Sequence, residues 1–242
     1  MPDATLPSLF DRATLGGLAA ATDQARVRDD TDGLRRCERV SAAVAAADAR
    51  RIDEARRTLN EALHGAHDVR LLFLGFQFAF RTGDFDAAED LTRRRLECAE
   101  TGSADAARAW TNLGLVHLFR GEPETATVMM RRAINIDRAI GDDEGLARDL
   151  GNFALVFENR GDLGEAERLT RESLAVADRI GAAHIVAGKL CNLGEILLAT
   201  GRRGEALSFL ARAEAAFREL GVEKHRKHCA TLLDQLSISE GS

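Results

Sequence analysis

The chain has 242 residues, of which 45% are hydrophobic and 30% charged, with only three prolines and no tyrosine. Its 33 basic and 39 acidic residues give a net charge of −6, which argues against sequence-independent nucleic-acid binding, since that needs a surplus of Lys and Arg. No stretch reaches the roughly 18 apolar residues of a membrane span, and no signal peptide is apparent at the N-terminus, so we expect a cytoplasmic protein.

The N-terminal part of the chain carries a weak helical repeat. Residues 1–35 contain scattered apolar side chains without a repeat pattern, and we predict that they form a helical cap. Asp53-Glu54-Ala55 and Gly83–Ala88 then resemble each other as the turn between two paired helices. These copies predict two helix-turn-helix units, at about 36–68 and 69–106.

A stronger repeat follows, with a period of 40 residues. Asn-Leu-Gly, or its variant Asn-Phe-Ala, occurs at 112–114, 152–154 and 192–194. Each copy is followed by a glycine that ends a first helix, and a second helix ends at Gly141, Gly181 or Gly221, as expected of a glycine C-cap. The spacing predicts three stacked units, at about 107–146, 147–186 and 187–221.

The residues of the third unit resemble a known repeat signature. Trp110-x-x-Leu113-Gly114-x-x-His117, followed by Ala126, Met130 and Ala133, is similar to the tetratricopeptide repeat. The 40-residue version with Asn before Leu-Gly resembles arrays in kinesin light chains, polarity adaptors and bacterial regulators of the signal-transduction ATPase type. The resemblance covers residues 36–221 and implies an all-α, right-handed solenoid of about five repeats. We expect residues 222–242 to form a C-terminal capping helix and tail.

The resemblance also implies a binding face. In such arrays the first helix of each unit lines a concave groove for extended peptides or partner helices. Carried over position by position, the groove includes Asn112, Asn152 and Asn192, whose amides can hydrogen-bond a peptide backbone without reading its side chains. The same amides could instead bond to a neighbouring repeat, and the sequence leaves both alternatives open.

Arginines accompany these amides. Arg108 and Arg148 each precede an asparagine by four residues, which puts them on the same helix face, and Arg70 stands at the matching place in the second unit. Arginine binds carboxylates bidentately. Alternatively, these arginine side chains could merely shield the surface of their own helices. The other residues assigned to the partner-binding face are Phe73, Gln77, Leu115, Asn159 and Glu195.

The expected partner follows from this lining. The C-terminal end of the groove is acidic and polar, with Glu158, Asn159 and Glu195. We therefore predict a protein or peptide segment that is acidic and apolar at one end, with a basic or polar part near Glu195.

One predicted helix is apolar almost all the way round. In the run Leu71–Phe80 the single polar side chain is Gln77. Such a helix is normally buried. The N-terminal helix, a second copy of the chain in a homodimer, or a bound partner could cover it.

The sequence lacks the usual marks of catalysis and cofactor binding. It contains no phosphate-binding loop, no His-Glu-x-x-His and no Cys-x-x-Cys. His225, His228 and Cys229 offer at most two ligands from one helix face, too few for a stable zinc site, so no catalytic residue, metal or cofactor is predicted. The four scattered cysteines are expected to be free thiols.

These observations predict a non-enzymatic scaffold or adaptor that binds proteins or peptides. The alternative is a ligand- or peptide-sensing regulator that acts in trans on a bacterial transcription or signalling partner. An enzyme would need convergent acid and base groups, and the groove offers only Glu158, Glu195 and His117 for those roles.

Overall fold

The computed structural model describes residues 12–48 and 51–238, which form twelve α-helices. This part of the chain contains no β-strand, and the all-α repeat solenoid predicted from the sequence is confirmed. The chain divides into two compact units, unit 1 up to Thr101 and unit 2 from Gly102. None of the described helices is both long enough and apolar enough to traverse a bilayer.

Unit 1 holds five helices. They are α1 (Arg12–Val27), α2 (Thr31–Asp48), α3 (Ile52–Leu63), α4 (Val69–Arg81) and α5 (Phe85–Cys98). Helix α2 pairs with α3 and α4 pairs with α5, while α1 packs against both α2 and α4. The apolar run of α4 is therefore covered from within unit 1, and Leu72 and Leu74 are fully buried.

Unit 2 holds seven helices. They are α6 (Ala104–Phe119), α7 (Pro123–Ile140), α8 (Asp143–Asn159), α9 (Leu163–Arg179), α10 (Ala183–Ala199), α11 (Arg203–Glu219) and α12 (Glu223–Ile238). The first three pairs are α6 with α7, α8 with α9, and α10 with α11, and each trailing helix also contacts the next leading helix. The leading helices touch one another, α6 with α8 and α8 with α10. Helix α12 packs against α11 at the C-terminal end of this unit.

Glycines end the helices of unit 2 where the sequence predicts. Gly141, Gly181 and Gly221 have φ values of 71°, 68° and 68°, in the left-handed region that L-residues with side chains rarely adopt. The next leading helix starts within two residues, and for α8 the side chain of Asp142 caps it by accepting a hydrogen bond from the Gly145 amide. The 40-residue period therefore reflects helices of 16 to 18 residues joined by glycine turns.

Small residues let the paired helices of unit 2 approach closely. A Cβ added at Gly114 would lie 2.7 Å from Cγ of Met130, and one added at Gly194 would lie 2.5 Å from Cγ of Leu210. These side chains lie one turn after Ala126 and Ala206, the alanines that recur on the trailing helices. Each long side chain fills the space that a glycine leaves on the leading helix.

Candidate partner-binding site

One face of each leading helix in unit 2 stays open to solvent. Its residues recur every three or four positions, so they share one side of the helix. We call this face the leading-helix stripe: Arg108, Asn112, Leu115 and Phe119 on α6; Arg148, Asn152, Leu155 and Asn159 on α8; Gly188, Asn192 and Glu195 on α10. All of these residues except Asn112 are at least partly exposed. Neighbouring leading helices touch, and the stripe residues recur along them at intervals of 40 residues.

The side-chain amides of the three stripe asparagines are not used to hold the described helices together. Asn112 is only 8% exposed, and within the described residues its Nδ2 has no hydrogen-bond partner. Asn152 and Asn192 are partly exposed, and their side chains likewise make no hydrogen bond to the described chain. These amides therefore do not tie one repeat to the next, and the partly exposed Asn152 and Asn192 keep their donors and acceptors available to a ligand.

The stripe arginines are held loosely. Arg108 lies 3.3 Å from Asp105, and Arg148 lies 3.6 Å from Glu144, each on its own helix and at the surface. Exposed pairs of this kind contribute only about 0.3–0.5 kcal/mol, so an incoming carboxylate can compete for either guanidinium group.

Arg70 has a different environment in unit 1. Its guanidinium group donates hydrogen bonds to Asp68, which caps α4, and to Gln24 of α1. Burial by itself would raise the pKa of Asp68, but the hydrogen bonds and charge of Arg70 outweigh it and hold that pKa below its usual value. Arg70 thus links α1 to the start of α4.

The other unit 1 residues assigned to the binding face lie along α4. Phe73 is partly exposed, stacks on Phe76 with ring centroids 6.1 Å apart, and lies under the guanidinium group of Arg95. Gln77 is also partly exposed. These two side chains and Arg70 stay predictions as partner contacts.

Sequence reasoning missed Lys189, a partly buried lysine of unit 2. Lys189 on α10 reaches across to α8, where a Cβ added at Gly151 would overlap its Nζ. In the described part of the chain the ammonium group makes no hydrogen bond or ion pair, and burial lowers its pKa while the charge of Glu158 partly offsets that effect. A glycine in the middle of α8, directly before Asn152, was the signal that could have pointed to this close approach.

The C-terminal end of the stripe is less acidic than the sequence suggested. Glu158 lies near Lys189, and Glu195 lies 2.7 Å from Nε2 of His228 on α12. Burial, and then the charge of Glu195, raise the pKa of Glu158, against the opposing charge of Lys189. Sequence analysis saw both carboxylates but not these neighbours, because Lys189 on α10 approaches Glu158 on α8, and His228 on α12 approaches Glu195 on α10. Asn159 at this end is exposed.

Known sequences and structures place this architecture in a family. Two tetratricopeptide repeat profiles match the sequence, one over residues 105–179 and one over residues 190–212. Residues 105–179 and 190–212 are tetratricopeptide repeats. The matched residues lie on α6 to α11 and include every residue of the leading-helix stripe except Gly188. A search of curated proteins found no match.

Solved tetratricopeptide repeat structures share the fold. Aspartyl phosphate phosphatase F from Bacillus subtilis has a TM-score of 0.76 at 15% identity, over 96% of this chain and 61% of that one. A Rap protein complexed with competence and sporulation factor has a TM-score of 0.67 at 15% identity, over 97% and 72%. A thermophilic repeat protein from Thermus thermophilus has a TM-score of 0.61 at 18% identity, over 82% and 98%. At these identities the likeness concerns the fold alone.

Proposed function

We propose that this tetratricopeptide repeat protein is a non-enzymatic scaffold that binds an acidic protein or peptide segment along the leading-helix stripe of unit 2. Proteins of this family are generally non-catalytic scaffolds. The stripe combines hydrogen-bonding amides, loosely held arginines and apolar positions such as Leu115 and Leu155. A rigid stack of helices that presents such groups loses little entropy on binding.

The observation that carries this proposal is the environment of Lys189. Its ammonium group lies over Gly151, between α8 and α10, without a hydrogen-bonding partner in the described chain. The nearby charge of Glu158 only partly offsets the free-energy cost of burying this cation without a hydrogen bond, and a carboxylate from a ligand would recover that cost through a charged hydrogen bond. Asn152 and Asn192 flank this position on the two helices and can hold the backbone of the same ligand.

The test is selection of ligands from a random peptide library displayed on phage, with the full chain as bait. We expect the enriched peptides to contain Asp or Glu. Lys189→Gln should weaken their binding by about 10- to 100-fold, since a hydrogen bond to a charged group contributes about 1.5–3 kcal/mol. Fluorescence polarisation with labelled peptides measures the affinities.

The matched control is Lys227→Gln, which removes an exposed lysine from α12. It should leave the affinity unchanged, whereas the Arg108→Ala/Arg148→Ala double variant should weaken the same peptides without lowering the melting temperature. Equal affinities for the Lys189 and Lys227 variants, or enriched peptides without acidic residues, would contradict the proposal.

A regulatory role is the second candidate. The Rap structure was solved with competence and sporulation factor, and its fold resembles nearly the whole of this chain. In this version a bound peptide or small molecule changes the shape of the repeat stack, and the chain then acts in trans on a bacterial transcription or signalling partner. A change in radius of gyration when a selected peptide is added, measured by small-angle X-ray scattering, would favour regulation over a static scaffold.

A further inference from the structure

A cluster of metal-ligating side chains lies where α10 meets α12. Cys191 and Glu195 are four residues apart on α10 and share one face of that helix. His228 on α12 joins them, and the sulfur, carboxylate oxygen and imidazole nitrogen all lie within 4.8 Å of one another. The Nε2 atom of His228 is 2.7 Å from Oε1 of Glu195.

The donor types and their burial suit a zinc-like ion. Thiolate, imidazole and carboxylate are the three protein ligands that zinc uses, at about 2.0–2.3 Å from the metal. Donors bound at those lengths in a tetrahedron are about 3.3–3.8 Å apart, so small side-chain rotations would bring this trio into place. Cys191 is buried, whereas Glu195 and His228 are about half exposed, so one side of the trio faces solvent.

A second thiol lies beside the trio. Sγ of Cys229 is 3.4 Å from Sγ of Cys191, and both side chains are buried. Cys229 follows His228 directly in α12, and adjacent helical residues point about 100° apart, so they do not readily bind one ion together. We therefore treat Cys229 as a neighbour of the ligand set and not as a member.

We propose that Cys191, Glu195 and His228 bind one divalent cation of the zinc class, with a fourth position open to water or to a donor from a bound partner. The site shares Glu195 with the leading-helix stripe, whereas Cys191 and His228 lie outside it, so cobalt binding by the chain alone tests this proposal separately from partner binding. Sequence analysis considered His228 with Cys229 and found too few ligands. In the folded chain, contacts between α10 and α12 bring Cys191 and Glu195 of the preceding repeat close to His228.

The test uses the full, reduced chain and cobalt(II) as a spectroscopic substitute for zinc. We expect one equivalent of cobalt to bind, with visible bands of a tetrahedral ion and a near-ultraviolet thiolate-to-cobalt charge-transfer band. One equivalent of zinc should remove these bands. Cys191→Ser should abolish the charge-transfer band, and Glu195→Gln and His228→Gln should each weaken binding at least about tenfold.

Cys229→Ser is the matched control, because it removes the other thiol of the touching pair. It should retain the charge-transfer band and the affinity. Circular dichroism checks that each variant is folded, and the exposed positions of Glu195 and His228 make their variants the least disruptive. The proposal is overturned if wild type binds no cobalt, which leaves only a surface ion pair between Glu195 and His228. Equal behaviour of the two cysteine variants would also overturn it.

Discussion

At the scale of single residues, glycines inside the leading helices of unit 2 have two different uses. Gly194 faces Leu210, a branched side chain fixed in the core between α10 and α11. Gly151 faces the flexible end of Lys189, whose charge also acts on Glu158. Glycine therefore allows close helix packing at position 194, whereas at position 151 it leaves room for the charged end of Lys189.

This difference predicts opposite effects of two alanine substitutions. Gly194→Ala should lower the urea midpoint, because its Cβ would lie 2.5 Å from Cγ of Leu210 and overpacking costs about 1–3 kcal/mol. Gly151→Ala should leave the midpoint unchanged or raise it, because the lysine can move aside and alanine favours a helix by about 1 kcal/mol over glycine.

For peptide binding we expect the opposite order of the two substitutions, with Gly151→Ala as the damaging one. Gly151→Ala displaces the ammonium group of Lys189, so it should weaken acidic peptides, whereas any folded Gly194→Ala protein should bind them normally. A Gly151→Ala variant that unfolds as readily as Gly194→Ala would show that Lys189 is part of a rigid core.

At the scale of helices, a buried polar link joins the first two repeats of unit 2. Thr111 on α6 donates a hydrogen bond to Asp149 on α8, with its Oγ1 2.7 Å from Oδ2. The carboxyl group of Asp137 on α7 lies near that of Asp149, and both aspartates are almost fully buried. Burial, and then the charge of Asp149, raise the pKa of Asp137 to about 8.

The raised pKa predicts how stability depends on pH. The folded chain holds a proton on Asp137 up to about pH 8, whereas the unfolded chain releases it near the usual value of 3.8. The folded state binds more protons between these values, so this group makes the free energy of unfolding fall as pH rises from about 4 to about 8, and then level off. Thermal unfolding across this range measures the slope.

Asp137→Asn isolates the contribution of this carboxyl group. An amide cannot ionise, so the variant should show a flatter pH profile and a higher melting temperature than wild type above pH 8. Asp178→Asn, at an exposed position on α9, should keep the wild-type slope. Identical slopes in wild type and Asp137→Asn would mean that the folded chain does not hold a proton on Asp137 in this pH range.

At the scale of the molecule, unit 2 contains every element of both proposed sites. Its core clusters draw on helices from α6 to α12, all within residues 102–242. Repeat arrays are stabilised chiefly by contacts between neighbouring repeats, so this unit should fold without unit 1.

We therefore expect a fragment of residues 102–242 to show cooperative thermal unfolding by circular dichroism. It should retain both acidic-peptide binding and cobalt binding at the affinities of the full chain. A fragment that is helical but unable to bind peptides would indicate that the partner also needs residues of unit 1.

The sequence predicted the fold well because its strongest signals are local. Gly141, Gly181 and Gly221 occupy left-handed positions that nearly require glycine, so the 40-residue period translates directly into helix ends. The family resemblance then located the leading-helix stripe. Whether its asparagines and arginines contact a partner stays a prediction, although their lack of strong internal partners favours it.

The pairs that matter most for the proposed chemistry were beyond sequence reasoning. Lys189 and Gly151, Cys191 and His228, and Asp137 and Asp149 each come from two different helices, and no local pattern links their members. Similarly, nothing in the sequence indicated that Gln24 of α1 would accept a hydrogen bond from Arg70. Such pairs depend on how side chains meet after the helices have stacked.

Helix length also sets the dimensions of the surface offered to a partner. Helix α8 has 17 residues and is therefore about 25 Å long, more than twice the diameter of an α-helix of about 10–12 Å. Neighbouring packed helix axes are about 8–10 Å apart, so a ligand crossing α6, α8 and α10 must span about 16–20 Å. An extended peptide covers that distance with about six residues, so hexapeptides are the shortest ligands that can reach all three leading helices at once.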